Sequence, residues 1–431
     1  MLFRSAGLFA ALKLIELGLK PIILERGRNV SERKRDLALI HRNQSLDPDS
    51  NYGFGEGGAG AFSDGKLYTR SNKRGNVKEI LELLYLHGAA PQIMYDAHPH
   101  IGTDCLPQVI LKIRQTIEKC GGKYFFSSRV TDLLIQNGSC VGVKICNGDV
   151  FKANAVVLAT GHSARDVYRF LENCGIELQS KGYAMGVRVE HPQEFINKVQ
   201  YHSSPDIKHL PSASYSFATQ IDQRGVYSFC MCPGGFIVPA STNPGEMVVN
   251  GMSPSKRNSP FANSGIVVEI NPDDNLFGIN AGNLTGMRNQ EQLEKLSFQN
   301  GAALHFAPAQ RISDFVNGKS SAVLPVSSYH PGLQISDMHK WLPGFIKSRL
   351  HEAFKIFEKK MKGFISDQAI LVGVESRTSS PVRIPRNPEN MQHIGLKGLF
   401  PCGEGAGYAG GIVSSAMDGQ NVAQAVKVFL G

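Results

Sequence analysis

The stretch AGLFAALKLIELGLKPIILERG, residues 6–27, decides the fold class of this chain. Apolar residues of 6–17 recur with the spacing of one helical face, and Gly18 ends the predicted helix. The apolar run 22–24 after the turn predicts a short strand, with Glu25 at its end. Helix, strand and acid in this order are typical of the second half of a dinucleotide-binding βαβ unit, although an ordinary amphipathic helix packed on a sheet gives the same pattern.

In such a unit the acid accepts hydrogen bonds from a ribose, and a GxGxxG turn precedes the helix. Gly7 lies 18 residues before Glu25 and takes the place of the third glycine, which allows close packing of helix and strand. The helix N-terminus then faces the pyrophosphate. The first strand and the first two glycines are absent, because only MLFRS precedes Ala6.

Two further glycine-rich loops favour the nucleotide-binding interpretation. The loop 51–66 contains the run GEGGAG, and the loop 402–411 has the sequence CGEGAGYAGG and leads into a predicted helix at 412–429. Glycine lets a cofactor contact the backbone, and a helix N-terminus offers free N–H groups. Glu404 is placed to accept a hydrogen bond from a sugar hydroxyl. Together these loops contain more glycines than ordinary turns require.

Composition predicts a globular cytoplasmic protein. Of the 431 residues, 42% are hydrophobic and 19% are charged, which excludes a disordered chain. No uncharged apolar stretch reaches about 18 residues, so we expect no membrane span. The eight cysteines are too sparse for a disulfide scaffold, and the start of the chain lacks a signal-peptide cleavage pattern.

The net charge of +9 raises the question of nucleic-acid binding. Basic residues are spread along the chain rather than clustered. In the densest stretch, 347–362, they alternate with apolar residues at helical spacing. We therefore predict a surface helix with a solvated basic face and no nucleic-acid contact, with membrane or RNA contact as the alternative.

Seven blocks of sequence together carry a family resemblance. They are AGLFAALKLIELGLKPIILERG at 6–27, FGEGGAGAFSDGKL at 54–67, ATGHSARDVY at 159–168, CMCPGGFIV at 230–238, NGMSPSKRNSPFANSG at 250–265, GVESRTSSPVRI at 373–384 and PCGEGAGYAGGIVSSAMDG at 401–419. With these blocks the chain resembles the bacterial family of uncharacterised FAD-dependent dehydrogenases, within the glutathione-reductase-type flavoproteins. Family members begin with a full strand and GAGPAG, so we expect this chain to be truncated or chimaeric at its N-terminus.

The resemblance implies FAD as the cofactor. The residues expected to bind it are Gly7, Glu25, Arg26, Gly57, Gly58, Gly60, Val130, Gly161, Gly403, Glu404, Gly410, Gly411 and Ile412. Among them, Gly7 and Glu25 match the phosphate turn and the ribose acid. Glu404 matches the acid that holds the ribitol chain, and the backbone of 410–412 matches the segment that meets the flavin ring.

The fold expected from the resemblance is α/β. A discontinuous Rossmann-like FAD-binding domain would use residues 1–175 and 366–431. A substrate domain of mixed β-sheet and helices, residues 176–365, would be inserted between its two parts.

Lys66, Arg377 and Ser379 are the candidate catalytic residues. Lys66 follows a glycine loop and could stabilise the reduced flavin by its charge, or it could pair with a surface acid. Arg377 could hold a carboxylate or phosphate of the substrate, with Ser379 in the same polar run. We interpret Cys230 and Cys232 as buried structural thiols, because no second CxC completes a metal site.

The sequence therefore predicts an FAD-dependent oxidoreductase, a dehydrogenase in which the flavin carries hydride to or from a small-molecule substrate. No second GxGxxG follows a strand, so NAD(P)H would dock transiently as electron donor, or the substrate itself would deliver hydride. Two alternatives stay open: an FAD-dependent tRNA-modifying or RNA-binding flavoprotein, and an FAD-binding protein without turnover.

Overall fold

A computed structural model describes residues 5–42, 44–69, 75–202, 209–302 and 305–431. The helices in these ranges are α1 (Ser5–Glu16), α2 (Val30–His41), α3 (Val77–Leu86), α4 (Leu106–Lys119), α5 (Arg165–Asn173), α6 (Gln193–Gln200), α7 (Thr285–Gln299), α8 (Ile312–Val316), α9 (Met338–Trp341), α10 (Gly344–Lys360) and α11 (Ile412–Leu430). None of the helices in the described ranges is long and apolar enough to cross a membrane. The expectation of a truncated N-terminus concerns residues 1–4, which lie outside these ranges.

The strands of the described residues belong to one large mixed sheet and several small ones. They are β1 (Ile22–Leu24), β2 (Lys123–Phe125), β3 (Val130–Gln136), β4 (Ser139–Ile145), β5 (Val150–Lys152), β6 (Val156–Leu158), β7 (Gln179–Ser180), β8 (Tyr183–Pro192), β9 (Ala218–Ile221), β10 (Arg224–Cys232), β11 (Phe236–Pro239), β12 (Val249–Met252), β13 (Phe261–Ile270), β14 (Ala307–Arg311), β15 (Leu333–Ile335), β16 (Ile370–Glu375), β17 (Val382–Arg383) and β18 (Leu399–Pro401). The chain is thus mixed α/β, as predicted.

The helix and strand predicted at 6–17 and 22–24 are confirmed as α1 and β1. Helix α1 packs against α11, the helix predicted at the end of the chain. Their backbones come into contact at Gly419, where an added Cβ would lie 2.1 Å from the carbonyl oxygen of Ala6. Glycine is required at this crossing because any side chain would separate the two helices.

Outside the large sheet, the described parallel strands occur as two separate pairs, β1 with β2 and β6 with β18. An apolar groove lies between the pairs. Its lining residues are Leu14, Leu19, Lys20, Pro21, Ile22, Leu24, Val143, Phe151, Lys152, Ala153, Asn154, Ala155, Val156, Val157, Val426 and Leu430. The described strands therefore do not join into one parallel sheet, and the Rossmann-like arrangement stays a prediction.

The large sheet has seven strands in the order β15-β14-β16-β8-β13-β10-β9. Strands β8 and β13 lie at its centre and pair antiparallel. Tyr183 lies opposite Ile270 at one end of this pairing, and Pro192 lies opposite Phe261 at the other. Strand β16, Ile370–Glu375, pairs with β8 and β14 inside this sheet. Strand β16 is therefore hydrogen-bonded to the large sheet, and the expected domain boundaries stay a prediction.

The stretch 347–362, predicted as a helix, lies mainly in α10, and β15 and α9 precede it. Pro343 separates the two helices, since proline lacks an N–H for the helical ladder and occupies the position before α10. The buried residues of α10 include Ile346, Leu350 and Phe354, which join the core below the sheet. The prediction of an amphipathic surface helix with basic residues on its other face is confirmed for α10.

A buried histidine in this core makes folding sensitive to acid. The ring of His191 is 0% exposed, its Nε2 lies 2.9 Å from the carbonyl oxygen of Phe364, and it packs against Phe195 and Tyr215. Burial lowers the pKa of His191 to about 4 from its ordinary 6.5. His191 therefore binds a proton below pH 6.5 in the unfolded chain, but in the folded chain it stays neutral until the pH falls to about 4.

We expect His191 to lower the free energy of unfolding by about 2 kcal/mol as the pH falls from about 7 to about 5. In His191→Leu this part of the pH dependence should disappear, which urea denaturation at the two pH values measures. The matched control is His209→Leu at an exposed position. An equal acid-induced loss in wild type and His191→Leu would contradict the prediction.

Candidate functional site

Glu25 ends β1 as a buried carboxyl group. It is 3% exposed, and its Oε1 accepts hydrogen bonds from the backbone N–H groups of Gly27 at 2.9 Å and Gly55 at 3.0 Å. Burial raises the pKa of Glu25, while these N–H groups and the charge of Arg33 oppose the shift. These two hydrogen bonds thus hold Oε1 of Glu25 in place.

A cleft opens beside Glu25. Its lining residues are Glu25, Arg26, Gly53, Phe54, Arg129, Val130, Thr160, Ala164, Asp166 and Val167. The structure therefore brings together three predicted cofactor-binding residues, Glu25, Arg26 and Val130, with Thr160 directly before the predicted Gly161. Phe54 and Asp166 were not predicted, although both stand in blocks that carry the family resemblance.

The guanidinium of Arg26 has several partners at this cleft. It lies 3.9 Å from the centre of the Phe54 ring, 2.7 Å from Asp49 and 3.0 Å from Asp166. Asp166 belongs to α5, so the pairs join the end of β1 to the segment after β6. Arg26 thus shapes one wall of the cleft.

The loop with Gly57, Gly58 and Gly60 meets the starts of two helices. Gly57 and Gly58 have φ of 77° and 60°, which glycine adopts without strain. A Cβ added to Gly60 would lie 3.1 Å from Oγ of Ser5, at the start of α1, and 3.9 Å from Ile412, at the start of α11. Two helix N-termini therefore lie beside this loop.

The loop 403–411 contacts the segment that follows β6. An added Cβ at Gly405 would lie 2.6 Å from the backbone nitrogen and oxygen of Gly161. The hydroxyl of Tyr168, on α5, donates to the carbonyl of Gly405 at 2.7 Å. This close contact with the predicted cofactor-binding residue Gly161 requires glycine at position 405, because a side chain there would collide with the backbone of Gly161.

The same loop is also tied to the helix starts. The N–H of Gly403 donates to Asp418 of α11 at 2.7 Å, and an added Cβ at Gly403 would lie 2.5 Å from Cβ of Ala6. Gly7 follows Ala6 and is buried in the first turn of α1. Gly410 and Gly411 are exposed, and an added Cβ at either would meet nothing within 4 Å.

Glu404 lies between these groups. Its Oε2 is 3.4 Å from Nδ1 of His162, and its side chain is 20% exposed, so the carboxylate is only partly enclosed. His162 itself is 8% exposed and follows Gly161. The arrangement places an acid at the junction of the 403–411 loop with the loop after β6.

One connected region contains the two glycine-rich loops, the segment after β6 with Gly161, the buried Glu25 and the N-termini of α1 and α11. The chemistry of its groups fits a dinucleotide. A carboxyl group at a strand end accepts from ribose hydroxyls, and helix N-termini favour phosphate through their N–H groups and dipole. The donors and acceptors that a dinucleotide needs are thus present on adjoining elements.

Two of the three candidate catalytic residues, Lys66 and Arg377, belong to two other contact networks. Lys66 lies 3.5 Å from Asp64 and near the sulfur atoms of Cys230 and Cys232. Lys66 thus pairs with an acid, although Asp64 is 2% exposed rather than on the surface, and the contact of Lys66 with the flavin stays a prediction.

Arg377 does not have a free guanidinium. Its Nη2 lies 2.7 Å from Glu294, its Nε donates to the same carboxylate at 3.0 Å, and its Nη1 donates to Thr242 at 2.9 Å. This placement gives no support to the predicted role in holding a substrate anion, because Glu294 already occupies the fork. Ser379 is half-buried in the segment after β16.

Comparison of the sequence with known families gives one match. Residues 182–378 match the family described as FAD-dependent protein, C-terminal domain-like. The matched segment contains all seven strands of the large sheet, from β8 to β16. FAD is therefore the cofactor of this family.

A protein of Clostridium beijerinckii, described as an uncharacterized protein, is 41% identical over 426 residues, which cover 98% of this chain and 79% of the relative. Among solved structures, the flavin-dependent brominase Bmp2 triple mutant has a TM-score of 0.41 at 12% identity, covering 99% of this chain and 79% of that one. A geranylgeranyl bacteriochlorophyll reductase-like protein of Thermoplasma acidophilum has a TM-score of 0.39 at 13% identity, covering 99% and 76%. The chain belongs to the same family as the Clostridium beijerinckii protein, with the C-terminal domain-like region of FAD-dependent proteins at residues 182–378.

Proposed function

We propose that this chain is an FAD-dependent oxidoreductase, a dehydrogenase of the glutathione-reductase type, that acts on a small-molecule substrate. The observation that carries the proposal is the meeting of two glycine-rich loops, the segment with Gly161 and two helix starts in one region that includes the buried Glu25. The family match identifies FAD as the cofactor. When bound, FAD supplies hydride transfer between donor and substrate.

In this proposal Glu25 binds the ribose of the adenosine. The N–H groups of Gly27 and Gly55 hold Oε1 in place, so the carboxyl group is oriented before the ligand arrives. Such preorganisation reduces the entropy that binding would otherwise cost. Arg26 and Val130 line the same cleft and would contact the adenosine from its sides.

The N-termini of α1 and α11 would bind the negatively charged parts of the cofactor. Gly7 in the first turn of α1 keeps the helix close to its neighbours, and Gly60 lies against the starts of both helices. Gly410 and Gly411 leave the backbone before α11 open to a planar ring, and Ile412 begins the helix. Glu404 would accept from the ribitol hydroxyls beside Gly161.

The electron donor and the catalytic groups are part of the same proposal. We propose that NAD(P)H docks transiently, that Lys66 supplies positive charge, and that Ser379 contacts the substrate. Cytoplasmic localisation also belongs to the proposal.

Anaerobic addition of NADH or NADPH to the FAD-loaded chain tests the electron donor, because reduction bleaches the visible flavin absorption. Absence of bleaching with either nucleotide would leave the substrate as the hydride source and contradict NAD(P)H as donor.

We further propose that an added strand with a GxGxxG turn ahead of Ala6 would complete the site. The proposal rests on the family resemblance and on the apolar groove, which is lined by residues of both β1 and β6. A strand in this groove would join the two parallel pairs through their facing edges. Its turn would bring two more glycines to the N-terminus of α1.

We expect Glu25→Gln to weaken FAD binding about tenfold, because an amide keeps one acceptor oxygen but loses the charge that strengthens the bonds to ribose. Titration of the chain with FAD, followed by flavin fluorescence, measures the affinity. Glu82→Gln at an exposed site of α3 is the matched control. An unchanged affinity in folded Glu25→Gln would remove Glu25 from the site.

A further inference from the structure

Two cysteines lie at the end of β10, where the pairing of β10 with β13 shifts between Phe229 and Cys232. Cys230 has a φ of 47°, in the left-handed region that non-glycine residues adopt rarely. Backbone conformations of this kind are concentrated at functional sites. Cys230 is half-buried and Cys232 is 0% exposed. The bulge thus leaves residue 230 partly exposed and encloses residue 232.

The ammonium group of Lys66 stands beside both sulfur atoms. Its Nζ is 3.8 Å from Sγ of Cys230 and 4.0 Å from Sγ of Cys232, and it also donates to the carbonyl of Met231. Lys66 and the two cysteines are far apart in sequence, so the fold brings them together. A cation at this distance stabilises a thiolate.

A second cation supports the same end of β10. Arg188 is 0% exposed and its Nη2 donates to the carbonyl of Cys230 at 2.7 Å, while its Nη1 donates to Glu375 at 2.7 Å. The charged groups that act on Cys230 are therefore Lys66 and Arg188, with Asp64 and Glu375 as the opposing acids.

The two thiols differ in their acidity. A hydrogen bond from Cys232, together with the charges of Lys66 and Arg188, lowers the pKa of Cys230 well below its usual range, against the effect of burial. The same hydrogen bond and burial raise the pKa of Cys232. These directions favour the ionised form of Cys230 over that of Cys232.

We propose that Cys230 and Cys232 form a peroxide-reducing dithiol, in which Cys230 is the nucleophile and Cys232 the resolving thiol. The Cys230 thiolate attacks one oxygen of hydrogen peroxide, the O–O bond breaks, and Cys230 becomes a sulfenic acid while the departing hydroxide takes up a proton to form water. Lys66 stabilises the charge on the departing oxygen. The activity does not depend on FAD and goes beyond the proposed oxidoreductase.

In the second step the two cysteines form a disulfide. The Cys232 thiol attacks the sulfur of the Cys230 sulfenic acid, the S–S bond forms, and a second water leaves. One peroxide is reduced to two waters, and the two thiols are oxidised to one disulfide. The half-buried position of Cys230 and the enclosed position of Cys232 suit this division of roles.

The test uses the full chain treated with one equivalent of hydrogen peroxide, then with N-ethylmaleimide, then with trypsin. The tryptic peptide 225–256 contains Cys230 and Cys232 and no other cysteine. We expect this peptide to be unlabelled and lighter by two hydrogen atoms, while the exposed Cys120 is labelled. Labelling of both cysteines of 225–256 to the same extent as Cys120 would overturn the proposal.

Variants separate the roles of the three side chains. In Cys232→Ser the sulfenic acid should persist at Cys230 and be trapped by dimedone, and in Cys230→Ser the thiol of Cys232 should survive peroxide. Lys66→Met should slow alkylation of Cys230 by iodoacetamide at about pH 6 roughly tenfold, with Lys66→Arg restoring most of the rate. Equal rates in Lys66→Met and wild type would contradict the role of Lys66.

Discussion

Replacing Glu294 by glutamine is expected to lower the free energy of unfolding by about 3 kcal/mol, because it leaves two buried guanidinium groups without their main counter-charge. Glu294 is 0% exposed and lies 2.7 Å from both Arg165 and Arg377. Burial alone would raise the pKa of Glu294, but these two cations hold it well below its usual range. Glu246, 3.2 Å from Arg165, retains part of the compensation.

Urea denaturation of Glu294→Gln beside Glu82→Gln measures this loss. Glu82 pairs with Lys78 at 3.7 Å on an exposed face of α3, where such a pair contributes about 0.5 kcal/mol or less. The Glu294 network joins α5, which follows the loop with Gly161, to α7 and the segment after β16. A loss in Glu294→Gln no larger than that in Glu82→Gln would show that this network does not stabilise the fold.

Replacing Gly405 by alanine is expected to reduce FAD affinity more than tenfold and to lower the free energy of unfolding by about 1–3 kcal/mol. The new Cβ would lie 2.6 Å from backbone atoms of Gly161, which cannot move aside as a flexible side chain can. The loop 403–411 would then separate from the segment after β6. The hydrogen bond from Tyr168 to the Gly405 carbonyl would be lost with it.

Gly410→Ala is the matched control, because an added Cβ at Gly410 meets nothing within 4 Å. We expect its free energy of unfolding to equal that of the wild type. Any loss of FAD affinity in Gly410→Ala then reports contact with the cofactor rather than damage to the fold. Fluorescence titration and urea denaturation of both variants decide the matter, and wild-type FAD affinity in Gly405→Ala would contradict the proposed meeting of the two loops at the cofactor.

Elements with a strong apolar period could be predicted from the sequence. The helices α1 and α11 and the strand β1 were predicted nearly to their ends, since their patterns are local. Helix α2 was not predicted. Its fully buried Arg33 donates to carbonyl groups of the loop 51–56, and such long-range partners for a charged residue leave no local sequence pattern.

The candidate site was predicted in part for the same reason. Glu25 and Val130 could be placed through their sequence context and resemblance, and the structure brings them into one cleft. The contact between Lys66 and Cys230 could not be predicted, because they are 164 positions apart in the sequence. Their contact depends on the packing of the glycine-rich loop 54–67 against the end of β10, which no local pattern encodes.

The most direct test of the account is the visible absorption spectrum of the purified chain after incubation with FAD and removal of the unbound cofactor. A version with an added strand and GxGxxG turn ahead of Ala6 is measured beside it, and circular dichroism establishes that both are folded. We predict a bound-flavin spectrum in the extended version, with weaker retention by the chain itself. Folded protein without bound flavin in both would contradict the central claim that these glycine-rich loops and Glu25 form an FAD site.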